Sequence, residues 1–188
     1  SNTVTNITGG GNITGITIGS TVNTATSLSI SNNIINNLSS TGGSVTGIRS
    51  SNPSPVINIT NNTINTLSSP GVDAAMNGIL ITAATAVNIS KNKIYDISGN
   101  QTATTVNGIS ITAGTSFNIF NNLVGDLRAT AATGLNAISG INANGTSSYN
   151  VYYNTVYLDA ASTSVTTFGT SCITFSTTIA SFNSRNNI

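Results

Sequence analysis

Charged residues are scarce in this chain of 188 residues. It contains five Lys and Arg and four Asp, but no Glu, no His and no Trp. The net charge of +1 excludes the clustered Lys and Arg by which proteins bind nucleic acid. Because carboxylates are few and His is missing, most of the groups that perform acid–base catalysis are missing too. We therefore predict that the chain is not an enzyme and uses no cofactor.

Long apolar runs and paired cysteines are also missing. No stretch reaches the roughly 18 apolar residues of a membrane span, and the first residues do not have the charged-then-apolar pattern of a signal peptide. The single Cys172 has no partner for an internal disulfide. Since no His or Lys stands at a recognisable spacing from it, we expect a small buried apolar side chain rather than a nucleophile.

One pattern occurs seven times along the chain. An Asn is followed by a variable residue, then by a β-branched apolar residue, and a few positions later by Leu or Ile. The steps between these anchors are 31, 29, 30, 30, 32 and 32 residues. A fixed period in this range is typical of a solenoid, in which each turn covers the apolar face of the next. The anchors are Asn2, Asn33, Asn62, Asn92, Asn122, Asn154 and Asn186.

Short runs before each anchor alternate apolar residues with Asn, Ser or Thr, which predicts strands because successive side chains leave a strand on opposite faces. The predicted inward residues are Leu28, Ile57, Val87, Phe117 and Tyr149, each followed two positions later by Ile30, Ile59, Ile89, Ile119 and Val151. The predicted outward row is Ser29, Asn58, Asn88, Asn118 and Asn150.

Two more short strands complete each turn. One begins with Gly-Ile and the other follows the anchor, where Ile35, Ile64, Ile94, Val124 and Val156 would point inward. Three strands per turn and few helix-forming residues predict an all-β, right-handed parallel β-helix of about six coils with about 30 residues each, filling residues 1–188 as one domain. The glycines at the coil turns are Gly15, Gly47, Gly78, Gly108 and Gly140, and Cys172 takes this position in the sixth coil.

The anchor asparagines have a structural explanation. Asn tolerates the left-handed backbone conformation that a sharp turn requires. Stacked in every coil, its amide can donate to and accept from the amides in the neighbouring coils, which satisfies polar groups that a buried turn would leave unpaired. The sequence therefore predicts an internal asparagine ladder rather than a row of ligand-binding residues.

These repeats resemble known ones. The alternating NIxxNxI and GIxI units resemble the parallel β-helix repeats of polysaccharide lyases, tailspikes and adhesins. The stretches VNISKNKIYDIS, NNLVGDLRA and YYNTVYLDA are more similar to Asn- and Thr-rich repeats of very large secreted bacterial surface proteins, many with a type IX secretion signal. The resemblance extends over residues 2–188; together with a composition rich in Asn, Ser and Thr, it implies an extracellular or cell-surface location. No catalytic motif comes with it.

Two of the four carboxylates have the same phase in adjacent coils. Asp96 and Asp126 each follow their anchor by four residues, so stacking places them about 5 Å apart. In such a pair one carboxylate could raise the pKa of the other, or the two could bind a cation. We predict no metal site in this chain, and this pair is the one candidate for such a site. The interpretation that we favour is that Lys91, Lys93 and Arg128 form ordinary surface ion pairs with it.

The sequence therefore favours a structural module, a rod segment of a surface adhesin, stalk or fibre. The first and last residues of the sequence occupy the same position of the repeat, and we predict no capping helix at either end. We therefore expect open strand edges that associate end to end or continue in a longer chain. The outward Asn row is a candidate glycan surface. The alternative is a carbohydrate-binding or polysaccharide-degrading β-helix whose active site lies mostly outside residues 1–188 or at Asp96 and Asp126.

Overall fold

A computed structural model describes residues 1–19, 26–53, 56–72, 74–164, 166–176 and 178–188. These residues form strands in three parallel sheets. The first sheet contains β1 (Thr3–Gly9), β4 (Ile34–Ser40), β7 (Thr63–Ser69), β10 (Lys93–Gly99), β13 (Leu123–Gly125) and β17 (Thr155–Tyr157), with β14 (Leu127–Ala129) also on β10. The second contains β2 (Ile13–Ile18), β5 (Val45–Ser50), β8 (Ala75–Ile81), β11 (Thr105–Ile111), β15 (Ile138–Ala143) and β18 (Thr170–Phe175). The third contains β3 (Ser27–Ser31), β6 (Val56–Thr60), β9 (Ala86–Ser90), β12 (Ser116–Phe120), β16 (Ser148–Tyr152) and β19 (Ser181–Arg185).

Each strand pairs with the strand one coil away, and every pairing is parallel. Ile59, for example, pairs with Ile30 in one direction and with Ile89 in the other. Paired residues are 29 to 33 positions apart, so each pairing spans one complete turn of the chain. The predicted parallel solenoid of about six coils is confirmed, whereas its right-handed coiling stays a prediction.

The apolar rows meet in one continuous core. Ile57, Ile59 and Ile64 are fully buried, as are their equivalents in the next two coils, apart from Val87, which is 1% exposed. The predicted inward and outward faces are therefore confirmed for the central coils. In the first coil Leu28 is only half-buried.

Aromatic side chains continue the core into the later coils. Phe117 and Tyr149 are paired in register and stack, with ring centroids 5.1 Å apart and planes 14° apart. Burial raises the pKa of Tyr149, and its hydroxyl donates to the carbonyl of Asn144 at 2.6 Å. Phe182 extends the row, with its centroid 6.4 Å from that of Tyr149.

Candidate functional site

The inner asparagine ladder runs along the rod between the third and first sheets. The backbone N–H and the Nδ2 of Asn62 both donate to Oδ1 of Asn92 at 3.0 Å. Asn92 makes the same two bonds to Oδ1 of Asn122, also at 3.0 Å. The second Nδ2 proton of Asn92 reaches the carbonyl of Ile59 at 2.9 Å. Each of these rungs therefore donates to the Asn of the following coil and accepts from the Asn of the preceding one, while its second Nδ2 proton bonds a carbonyl of the preceding coil.

The ladder includes six of the seven predicted anchors, but the seventh anchor is wrong. Asn154 donates to Oδ1 of Asn187 at 3.0 Å, not to Asn186. Asn186 is exposed and lies one residue before the rung. Both residues are Asn, and the structure assigns the amide bond to the second of the pair, as it does at Asn33, Asn62 and Asn122. The rungs are Asn2, Asn33, Asn62, Asn92, Asn122, Asn154 and Asn187.

The left-handed turn belongs to the residue before the rung at six of the seven rungs, so the expectation that the anchors themselves adopt it is wrong for every anchor except Asn186. Asn61 has a φ of 57°, Lys91 also 57° and Asn121 56°, whereas none of the rungs has a positive φ. The turn thus points the following Asn inward. A second left-handed residue stands four positions after a rung in five coils: Asn6, Asn37, Thr66, Asp96 and Asp126.

The glycine row is explained by close packing between coils. A Cβ atom on Gly108 would lie 2.4 Å from Cγ1 of Val124 and 2.6 Å from the carbonyl oxygen of Gly140. Both distances are shorter than any real Cβ contact, so only Gly fits beneath a following coil. The same overlap occurs at Gly15, Gly47, Gly78 and Gly140.

Cys172 lies at the position of this row, since Ser171 and Ile173 on either side of it pair with Ser139 and Ile141, but it is exposed, so the prediction that its side chain is buried is wrong. Its Sγ lies 3.7 Å from the carbonyl oxygen of Val156. The thiol lies on β18, at the end of the second sheet, where no described strand pairs with its outer edge.

A second ladder lies on the outer face of the third sheet. Nδ2 of Asn88 donates to Oδ1 of Asn58 at 2.8 Å, Asn118 donates to Asn88 at 2.9 Å, and Asn150 donates to Asn118 at 2.9 Å. These side chains are half-buried, and the bonds within the row use only part of the hydrogen-bonding capacity of each amide. Donation here runs toward the preceding coil, opposite to the inner ladder.

An arginine bonds the outer ladder in the sixth coil and explains its direction. Arg185 can only donate, and its Nε bonds to Oδ1 of Asn183 at 3.1 Å. Asn183 must then donate through Nδ2 to the hydroxyl of Tyr152 at 3.0 Å, and that hydroxyl donates to Oδ1 of Asn150 at 2.8 Å. The guanidinium also lies 5.9 Å from the centroid of the Tyr152 ring.

Asp96 and Asp126 are both bound by the guanidinium of Arg128. Its two terminal nitrogens take one carboxylate each, and Thr66 donates to the other oxygen of Asp96 at 2.8 Å. Burial raises the pKa of Asp96, but the bonds from Arg128 and Thr66 and the charge of Arg128 outweigh it, so the pKa lies below its ordinary value. Burial lowers the pKa of Arg128, but its bonds to Asp126 and Asp96 raise it above the ordinary value. Lys93 instead lies 4.9 Å from the centroid of the Tyr95 ring.

No family model, no curated protein and no solved structure matches this chain. In the part of the chain that the structure describes, no helix is long and apolar enough to cross a membrane. The same residues contain no group of three or more potential metal-ligating side chains. Of the other two carboxylates, Asp159 is exposed and Asp73 lies outside the described residues.

Sequence reasoning missed the connection of Arg185 and Tyr152 to the outer ladder. The signal was available, because Asn150 and Asn183 have the same register position, as do Tyr152 and Arg185. It also missed that one arginine serves both in-phase carboxylates. Arg128 follows Asp126 by two residues on the same face, which places it beside both.

Proposed function

We propose that this chain is a segment of an extracellular structural rod, such as the shaft of a surface adhesin, a stalk or a fibre, whose coils continue into further β-helical coils. The observation that carries the proposal is the pair of asparagine ladders. Both use their amides to join one coil to the next, so the most regular polar features of the molecule act along the rod axis.

The interior supports this proposal. Among the described residues, no buried side-chain nitrogen or oxygen lacks a hydrogen-bond partner. The inner amides are thus occupied by their neighbours, which makes them cross-links between coils rather than ligand-binding groups. The resemblance to Asn- and Thr-rich surface repeats supports the extracellular location.

We also propose that the chain does not cleave polysaccharides. The two carboxylates with the best mutual position share Arg128, so neither is placed to act as a free acid beside a free base. An ion pair at a partly exposed site of this kind is an ordinary surface feature.

The test is where the protein lies and what it forms. Antibodies raised against the purified chain should label the outside of intact cells that produce it, and electron microscopy should show the label on thin projections. Label found only after the cells are permeabilised would contradict the extracellular rod. Release of reducing ends from a polysaccharide by the purified chain, lost in Asp96→Asn, would contradict the absence of enzymatic activity.

A further inference from the structure

Cys172 occupies the glycine position of the row in the sixth coil, between Ser171 and Ile173. In the five earlier coils the space where a glycine Cβ would lie is filled from the next coil. The nearest side-chain carbon there belongs to an inward Ile or Val of the first sheet, at distances from 2.2 Å at Gly140 to 2.7 Å at Gly15. The carbonyl oxygen of the next residue in the row lies 2.6 to 2.7 Å away. Glycine is thus required wherever a coil of this cross-section follows.

The register identifies which residue would lie over Cys172. The backbone N–H of Ile188 donates to the carbonyl of Asn154 at 2.9 Å, just as that of Ile34 donates to the carbonyl of Asn2 at 2.9 Å. Ile188 therefore has the phase of Ile34, and the position after it is the phase of Ile35. This is the inward position whose side chain fills the space beside Gly15.

We infer that Cys172 prevents a coil of the repeat's own cross-section from stacking on its side of the rod, so that the two sides of the stack accept different partners. The side of β1–β3 presents Val4 and Gly15, the surfaces that a preceding coil with glycine in its row fits. The side of Cys172 accepts only a coil whose residue in the Ile35 phase is small or displaced. This inference rests on the proposed continuation of the rod into further coils.

A tandem chain tests the inference directly. Residues 1–188 are joined to residues 4–188 of a second copy, so that Val4 of the second copy takes the Ile35 phase over residue 172 of the first. Three versions carry Cys, Ala or Gly at that residue. We expect limited proteolysis to cut the Cys and Ala tandems at the junction, and the Cys172→Gly tandem to be cut there at least about tenfold more slowly, because cleavage follows the population of the open junction.

The controls separate sterics from thiol chemistry and from misfolding. Cys172→Ala retains the Cβ but loses the sulfur, so it should behave like Cys. In the single chain, Cys172→Gly should leave the urea midpoint unchanged, whereas the reverse change, Gly140→Cys, should lower it strongly because its Cβ would meet Val156 at 2.2 Å.

Each outcome of the proteolysis is decisive. Equal protection of all three tandems would refute the role of Cys172 while supporting the continuation of coils. Equal cleavage of all three would refute the continuation itself, and with it the proposed rod. Protection of the Ala tandem together with the Gly tandem would refute the Cβ overlap as the cause.

Discussion

Replacing Asn92 by Ala should be among the most damaging single changes in the rod. Asn92 is 1% exposed. Its loss would leave the backbone N–H of Asn62 and one Nδ2 proton of Asn62 without their acceptor, and the carbonyl of Ile59 without its side-chain donor. Each buried unsatisfied group costs about 1–3 kcal/mol, so two orphaned donors with partial relaxation predict a loss of about 3–5 kcal/mol in the free energy of unfolding.

Asn88→Ala is the matched control, because it removes the same amide from the outer ladder four residues earlier. Its partners Asn58 and Asn118 are half-buried and can bond to water, so the loss should stay below about 1 kcal/mol. Urea unfolding followed by circular dichroism measures both, with the midpoints compared at equal m-values. Equal losses for the two variants would refute the assignment of one ladder to the interior and the other to the surface.

Three further predictions follow from the glycine row and the ion pairs. Gly108→Ala should lower the unfolding midpoint strongly or abolish folding, whereas Gly11→Ala, with no atom within 4 Å of its added Cβ, should be close to neutral; similar thermal midpoints would contradict the overlap argument. The pKa of Asp96 in the folded protein lies below its ordinary value of 3.8. The ionised carboxylate therefore stabilises the fold at pH values above 3.8, and this stabilisation is lost as the pH falls through the lower folded pKa. Arg128→Gln should therefore flatten the fall of the urea midpoint between about pH 5 and pH 2, and an unchanged profile would contradict it. No polysaccharide should yield reducing ends or unsaturated sugars with the wild-type chain, and activity that disappears in Asp126→Asn would show that the carboxylates are catalytic.

The coil period and the faces of the strands were predictable because each feature occurs in several coils. Asn62, Asn92 and Asn122 stand at a constant step with alternating apolar residues before them, and only a parallel stack buries all of those rows together. The prediction of the last rung was wrong for a local reason. Asn186 and Asn187 are both compatible with either position, since Asn tolerates a left-handed φ and also serves as a rung.

The exposure of Cys172 could not be predicted from its position in the row. Glycine there is buried by the following coil, so the environment of residue 172 depends on what stacks over it rather than on its own strand. The sharing of Arg128 between two carboxylates depends likewise on the side-chain conformation of one long residue, which strand periodicity does not define.

The opposite directions of the two ladders have an electrostatic consequence for a growing rod. Each aligned amide carries a dipole of about 3.5 D, and aligned dipoles in a helix sum to about half an elementary charge at each end. In this molecule the Asn-to-Asn bonds of the inner ladder donate toward later coils and those of the outer ladder toward earlier ones. The two rows therefore oppose each other along the axis, so added coils that carry both rows lengthen the rod while the potential difference between its ends grows little.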